Sequence, residues 1–208
     1  MNLSNINCLL FDLDDTLYPQ DNGLWEMIGK RINQFLVEKM HFDPEDVPTL
    51  RHRLWEKYGT TLRGLQVEYS VDMDSYLKFV HDIPLETVLF QDIELDQLLS
   101  MIPQRKVIFT NAYARHAQRV TEHLGIQHHF DSIIDVYVMA PYCKPQIEAF
   151  QKALIHLGEI PENCILIDDS PKNLEAAQSL GMVTISVGKH PHNGSPHINS
   201  ISDLLRVL

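Results

Sequence analysis

Asp12 and Asp14 sit just past one apolar run, in CLLFDLDDTLY, and Asp168 and Asp169 sit just past another, in NCILIDDSPKN. Carboxylates at the end of a buried strand are costly unless a cation gathers them. A single Mg²⁺ would gather this set and leave one carboxylate for chemistry. In an open α/β sheet, ligands bind beyond the carboxyl ends of the strands, and the other strand ends add Thr110 and Asn111 from VIFTNA and Lys144 from CKPQ. Acids, a hydroxyl and a cation on one edge suit phosphoryl transfer. One carboxylate can attack phosphorus and form an aspartyl phosphate. A second, two residues on, can protonate the leaving alkoxide and then take a proton from water. Mg²⁺ lets the two anions meet. Thr110 and the Asn111 backbone N–H can hold phosphate oxygens, and Lys144 can stabilise the transition-state charge.

Those residues need a scaffold. Ile6–Phe11, Lys106–Phe109, Ile133–Val138, Cys164–Ile167 and Val183–Val187 read as buried parallel strands, being almost continuously hydrophobic. Helical patterns alternate with them: Arg115–Leu124, Pro145–Leu157 and Pro171–Leu180, each followed by glycine. Pro145 and Pro171 fit first helical turns. A Lys144 just before such a turn faces an unfavourable helix dipole, which a nearby anion would offset. The expected fold is α/β, a doubly wound and mainly parallel sheet. No strand pattern occurs between Tyr18 and Pro103, where apolar residues keep a helical period. That predicts a helical cap inserted after the first strand, with the core at 1–17 and 86–208 and the cap at 18–85, acting as a lid. Trp25 and Trp55 are expected in the cap core, and Tyr58–Leu65 as a polar turn between cap helices.

Composition excludes several classes. The 208 residues are 44% hydrophobic, enough for a full core, and carry a net charge of −11. That disfavours a nucleic acid polymer or an anionic membrane surface as partner and leaves a small phosphorylated substrate open, since a metal inverts the local field. The three cysteines have no metal-ligand spacing. His128-His129 and the His190–His197 stretch could suggest metal, but the spacing is irregular and Gly/Pro-rich, and a surface loop after the last strand is the expectation. Without a signal-like N-terminus or an apolar span, the expectation is a cytoplasmic protein.

FDLDDTL, FTNA, Lys144 and LIDDS, in that order, resemble the four motifs of the haloacid dehalogenase superfamily. The resemblance implies Asp12 as nucleophile and Asp14 as acid/base. It also implies Mg²⁺ held by Asp12, the Asp14 carbonyl, and one or both of Asp168 and Asp169. The second acid of the first motif and the metal cluster point to phosphate rather than halide chemistry. Asn173 stands where some members carry an acid. FDLDDTLYP, YGTTLRGL, FTNAYARHAQRVTEHLGI and CKPQIEAFQKAL further resemble the pyrimidine 5′-nucleotidase group. This implies a 5′-nucleotidase specificity set by cap residues Tyr58, Thr61 and Arg63. Phosphatases or phosphomutases for sugar phosphates or phosphoglycolate share the same core. A phospho-receiver module also uses acids, Mg²⁺, a hydroxyl and a lysine, but the cap and the placement of the acids argue against it. Oligomeric state is left open.

Overall fold

The computed structural model describes residues 5–189 and 191–208, so His190 of the histidine-rich stretch lies outside the described residues. The chain divides into two compact units, one running up to Asn22 and resuming at Leu89–Leu208, the other Gly23–Val88. The first unit holds strands β1 (Cys8–Phe11), β2 (Arg105–Phe109), β3 (Ser132–Ile134), β4 (Cys164–Asp168), β5 (Val183–Val187) and β6 (His197–Ile198). The second unit holds helices α1 (Leu24–Gln34), α2 (Val47–Tyr58), α3 (Thr61–Tyr69) and α4 (Met73–Val80). The first unit also contains α5 (Ile93–Ser100), α6 (Ala114–Leu124), α7 (Val136–Met139), α8 (Ile147–Leu157) and α9 (Pro171–Ser179). Among the described residues no helix is long and apolar enough to cross a membrane.

The sheet has the order β3-β2-β1-β4-β5-β6, and each adjacent pair is parallel. Every residue of β1 and β4 is buried, as expected of central strands flanked by helices. Residues of β1, β2 and β4 pack with Ala149, Phe150 and Ala153 of α8 and Leu174 and Ala177 of α9. The doubly wound α/β core is therefore present. Its strand order reverses between β1 and β4, the place where such sheets open a crevice at their carboxyl ends. Phe11 pairs with Ile167, and the Asp12 N–H donates to the Ile167 carbonyl at 2.9 Å. This register sets Asp12 beside Asp168.

Three expectations of local secondary structure change. The run Ile133–Val138 is strand only as far as Ile134, after which Val136–Met139 forms a helical turn. Asp135 is the cause: its Oδ1 accepts the N–H groups of Tyr137 and Val138 and caps that turn. Pro145 is not in the first helical turn, because α8 starts at Ile147. Gln146 and Cys143 bond to each other across a turn there, through N–H to carbonyl (2.8 Å) and N–H to side chain (3.0 Å). Tyr58–Leu65 is mostly helix rather than turn. Gly59 (φ 87°) ends α2 and the Thr60 hydroxyl accepts the Arg63 N–H at 3.0 Å, so α3 starts at Thr61.

The second unit packs Leu24, Ile28 and Ile32 of α1 and Val47, Leu50 and Leu54 of α2 inward. Phe35 meets the rings of Tyr76 and Phe79 edge-on, at 5.0 and 5.5 Å. Trp25 and Trp55 do not join this core; they are 49% and 47% exposed. The inward stripe of α1 is 24-28-32, and Trp25 lies one position off it. Gly64 admits the close approach of α2 and α3, since a Cβ there would lie 2.7 Å from Leu54.

Candidate active site

Lys144 is the hub of the site. Its ammonium donates to Asp12 Oδ1 at 2.7 Å and to Asp168 Oδ2 at 2.9 Å, with Lys144 and Asp168 side chains almost wholly buried. It also lies 5.0 Å from the centroid of the Phe109 ring, a favourable place for a cation. The backbone of Lys144 is clamped by the Asn111 side chain, which donates to the Lys144 carbonyl (3.0 Å) and accepts its N–H (2.8 Å). Burial alone would push the Lys144 pKa down, but Asp12 and Asp168 outweigh it and hold the group charged.

Asp168 is saturated by donors. Oδ1 accepts from the Ser170 N–H (2.9 Å) and from Asn173 (2.9 Å), and Oδ2 accepts from Lys144 and from Asn173 (3.0 Å). An ionised carboxylate has about four acceptor positions, so this carboxylate is committed to fixing Lys144. Asp169 is different: Gln20 donates to its Oδ2 at 3.1 Å.

Asp14 is held by residues that sequence reasoning passed over. Tyr18, buried and four residues on, donates its hydroxyl to Asp14 Oδ1 at 2.5 Å. The wholly buried His116, on the first turn of α6, brings Nε2 to 3.6 Å from the same oxygen. The i, i+4 spacing of Tyr18 from Asp14 is a signal that could have found it; His116 reads in sequence as one polar residue among many.

Thr110 is buried at the end of β2, where its hydroxyl accepts the Ala112 N–H at 3.0 Å. Thus Asp12, Asp14, Thr110, Asn111, Lys144, Asp168 and Asp169 belong to one unit and to the carboxyl edge of its sheet. Tyr58, Thr61 and Arg63 belong to the other unit, at the junction of α2 and α3. There the Tyr58 hydroxyl donates to Glu68 at 2.9 Å, and Arg53 makes a two-pronged ion pair with the same carboxylate.

The donor set fits a divalent cation. Oxygens of Asp12, Asp168 and Asp169 lie within 4.8 Å of one another. Three carboxylates against the single Lys144 ammonium leave a deficit of two positive charges. Asp15, in the left-handed region at φ 62°, places a buried Oδ1 nearby that has no hydrogen-bond partner among the described residues. All-oxygen ligation is the preference of Mg²⁺. Burial, with Asp168 and Asp169 adding to it, pushes Asp12 well above the carboxylate range despite Lys144. Burial and Asp168 raise Asp169 to about 6, and burial with Asp169 and Asp14 raises Asp15 to about 7.

A pH dependence follows for the metal-free protein. A carboxyl whose folded pKa is raised keeps its proton in the folded state where the unfolded chain has lost it. Its stabilising contribution is complete below the unfolded value of 3.8 and is lost as pH rises through about 6 and about 7. In EDTA, Tm is expected to fall between pH 5 and pH 7.5, roughly the window bounded by those pKa values. Added Mg²⁺ should reverse the trend, because it binds only the deprotonated acids. A Tm in EDTA that rises across that window would contradict this reading.

Comparison with known proteins adds to this geometry. The family model described as haloacid dehalogenase-like hydrolase matches residues 6–181. "Phosphate metabolism protein 8" of Saccharomyces cerevisiae is 29% identical over 187 residues, 83% of this chain and 58% of that protein. The chain thus spans little more than half the length of that relative. A phosphoglycolate phosphatase of Colwellia psychrerythraea is 25% identical over 202 residues, covering 90% of this chain and 86% of the relative. Among solved structures, one described as a predicted phosphatase from Clostridium acetobutylicum has a TM-score of 0.65 at 20% identity, with 97% of each chain covered. That likeness concerns the fold.

Proposed function

The chain belongs to the haloacid dehalogenase-like hydrolases, and from that premise we propose that it is a Mg²⁺-dependent phosphatase of small phosphomonoesters, with Asp12 as nucleophile. The observation that carries this reading is the buried Lys144 ammonium bridging Asp12 and Asp168 at the sheet's switch point. Asp12, the Asp14 main chain and Asp169 would hold the cation, and Asp168, committed to Lys144 and Asn173, would contribute mainly through its charge. When bound, Mg²⁺ supplies the positive charge that lets a carboxylate approach a phosphate.

The residues then divide the work. Asp12 attacks phosphorus, and the bond to the leaving oxygen breaks as Asp14 protonates it. Asp14, now ionised, takes a proton from water. That water attacks the phosphoryl group, and the Asp12 oxygen leaves, releasing inorganic phosphate and restoring the carboxylate. Thr110, the Asn111 N–H and Lys144 hold the phosphate oxygens through both steps. Tyr18 acts through Asp14, holding its carboxyl on line. Hydrogen bonds to charged groups are worth about 1.5–3 kcal/mol. Tyr18→Phe is therefore expected to lower kcat by roughly tenfold or more with KM little changed. Wild-type kcat in that variant would remove Tyr18 from the mechanism.

The finer reading is a pyrimidine nucleoside 5′-monophosphate as substrate, in a cytoplasmic setting, with Tyr58, Thr61 and Arg63 setting specificity. It is supported by YGTTLRGL, which puts a cation and hydroxyls at the start of α3. The phosphoglycolate phosphatase relative favours a second reading, a small sugar phosphate or phosphoglycolate. A panel of these phosphomonoesters, assayed with Mg²⁺ and compared by kcat/KM, decides between them. Pyrimidine monophosphates leading the panel, with Arg63→Ala raising KM for them selectively, supports the first. Phosphoglycolate leading, with no effect of Arg63→Ala, supports the second. No turnover of any phosphomonoester overturns both.

A further inference from the structure

Asp96 on α5 and the consecutive His128 and His129, in the 3₁₀ turn Gln127–His129, form a second cluster in the same unit. His129 Nε2 lies 2.8 Å and His128 Nε2 3.2 Å from the same Asp96 Oδ1. The two rings are 4.0 Å apart, centroid to centroid. From this we propose that the cluster is a binding site for a divalent first-row transition ion, typified by Zn²⁺, separate from the phosphoryl-transfer site.

Successive side chains on a 3₁₀ turn diverge by about 120°. Here both imidazoles converge instead on Asp96, more than thirty positions earlier in the sequence. The three donors, two ring nitrogens and one carboxylate oxygen, lie within 4.8 Å of one another. Two His and one carboxylate is a recurrent zinc set that leaves one position open. Zn–N and Zn–O bonds of about 2.0–2.2 Å place tetrahedral donors about 3.3 Å apart, so the observed spacings need only small adjustments. His128 and His129 line a cleft of about 590 Å³, which opens the histidine side of the cluster to water. Imidazole favours zinc, copper or nickel, whereas the all-oxygen acid cluster suits Mg²⁺.

The location separates the two sites. Asp131, two residues after His129, donates its N–H to the Lys106 carbonyl, near the amino ends of β2 and β3. The catalytic acids follow the carboxyl ends of β1 and β4. A metal at the cluster would tie α5 to the turn leading into β3, and would stabilise the fold by mass action.

The test is calorimetric titration of the full chain with Zn²⁺ in saturating Mg²⁺. One Zn²⁺ should bind per chain, and Tm should rise with it. Asp96→Asn, His128→Ala and His129→Ala should each weaken binding at least as much as loss of a supporting residue does at known sites, roughly 10–100-fold. His128 is two-thirds exposed, so its variant removes a donor without disturbing packing. Asp12→Asn and the control His156→Ala should retain the site, and His129→Ala should keep Mg²⁺-dependent turnover. Wild type taking up no Zn²⁺, or the three ligand variants binding it like wild type, would overturn the proposal.

Discussion

Asp12→Asn is expected to lower kcat for any phosphomonoester by roughly 10⁴–10⁶-fold, the range seen when a catalytic nucleophile is removed, while the protein stays folded. An amide cannot form the acyl phosphate. Its oxygen can still accept from Lys144, which also keeps its bond to Asp168. The buried ammonium is therefore not orphaned. The variant also removes one of the mutually repelling buried acids, Asp12 being pushed up by burial and by Asp168 and Asp169. Its Tm in EDTA should match or exceed that of wild type. Kinetics with p-nitrophenyl phosphate and a thermal melt in EDTA check both parts. Substantial turnover, or a collapsed melt, would contradict the assignment.

Lys144→Met is expected to damage both stability and catalysis, and the contrast with Asp12→Asn is informative. Removing this ammonium leaves Asp12 and Asp168 buried with no cation between them. Breaking a buried pair by taking one partner costs about 3–5 kcal/mol. In EDTA at neutral pH, urea denaturation should register a loss of that order. Mg²⁺ should return part of it, because the cation is drawn to the same carboxylates. With Mg²⁺ saturating, kcat should still fall by about 10²–10³-fold, the usual effect of deleting one group that stabilises the developing charge. A variant as stable as wild type in EDTA would mean that Lys144 is not the partner of both acids in solution.

The positions of the candidate residues Asp12, Asp14, Thr110, Asn111, Asp168 and Asp169 were legible because each sits where a hydrophobic run stops. β1, β2, β4 and β5 read as strands from their apolar runs, and their register alone brings Asp12 and Asp168 together. Lys144 was harder. Its expected place at a helix start was off by two residues, since Gln146 and Cys143 build a turn first. The inference that it needed an anion nearby nevertheless holds, and it has two. The Ile133–Val138 run misled because hydrophobicity does not separate a short strand from a helical turn, and Asp135, which decides it, acts through its side-chain oxygens. Two-residue β6 carries too little pattern to be seen. Tyr18 and Asn173 lie four and five residues from the acids they bond, a local spacing that does not by itself single them out, whereas His116 reaches Asp14 only through tertiary proximity. The Asp96–His128–His129 convergence is of the same kind: the adjacent histidines are visible in sequence, but their partner on α5 is not.

The central claim is that Asp12 carries the phosphoryl group. It is tested most directly by trapping that group in Asp14→Asn during turnover of p-nitrophenyl phosphate. The phenolate leaves without protonation, so the first step proceeds, while the second lacks its base and the intermediate accumulates. Quenching with acid, reducing with borohydride and mapping peptides by mass should find homoserine in place of Asp12 and nowhere else. Turnover with no modified residue, or modification at a residue other than Asp12, would contradict the account.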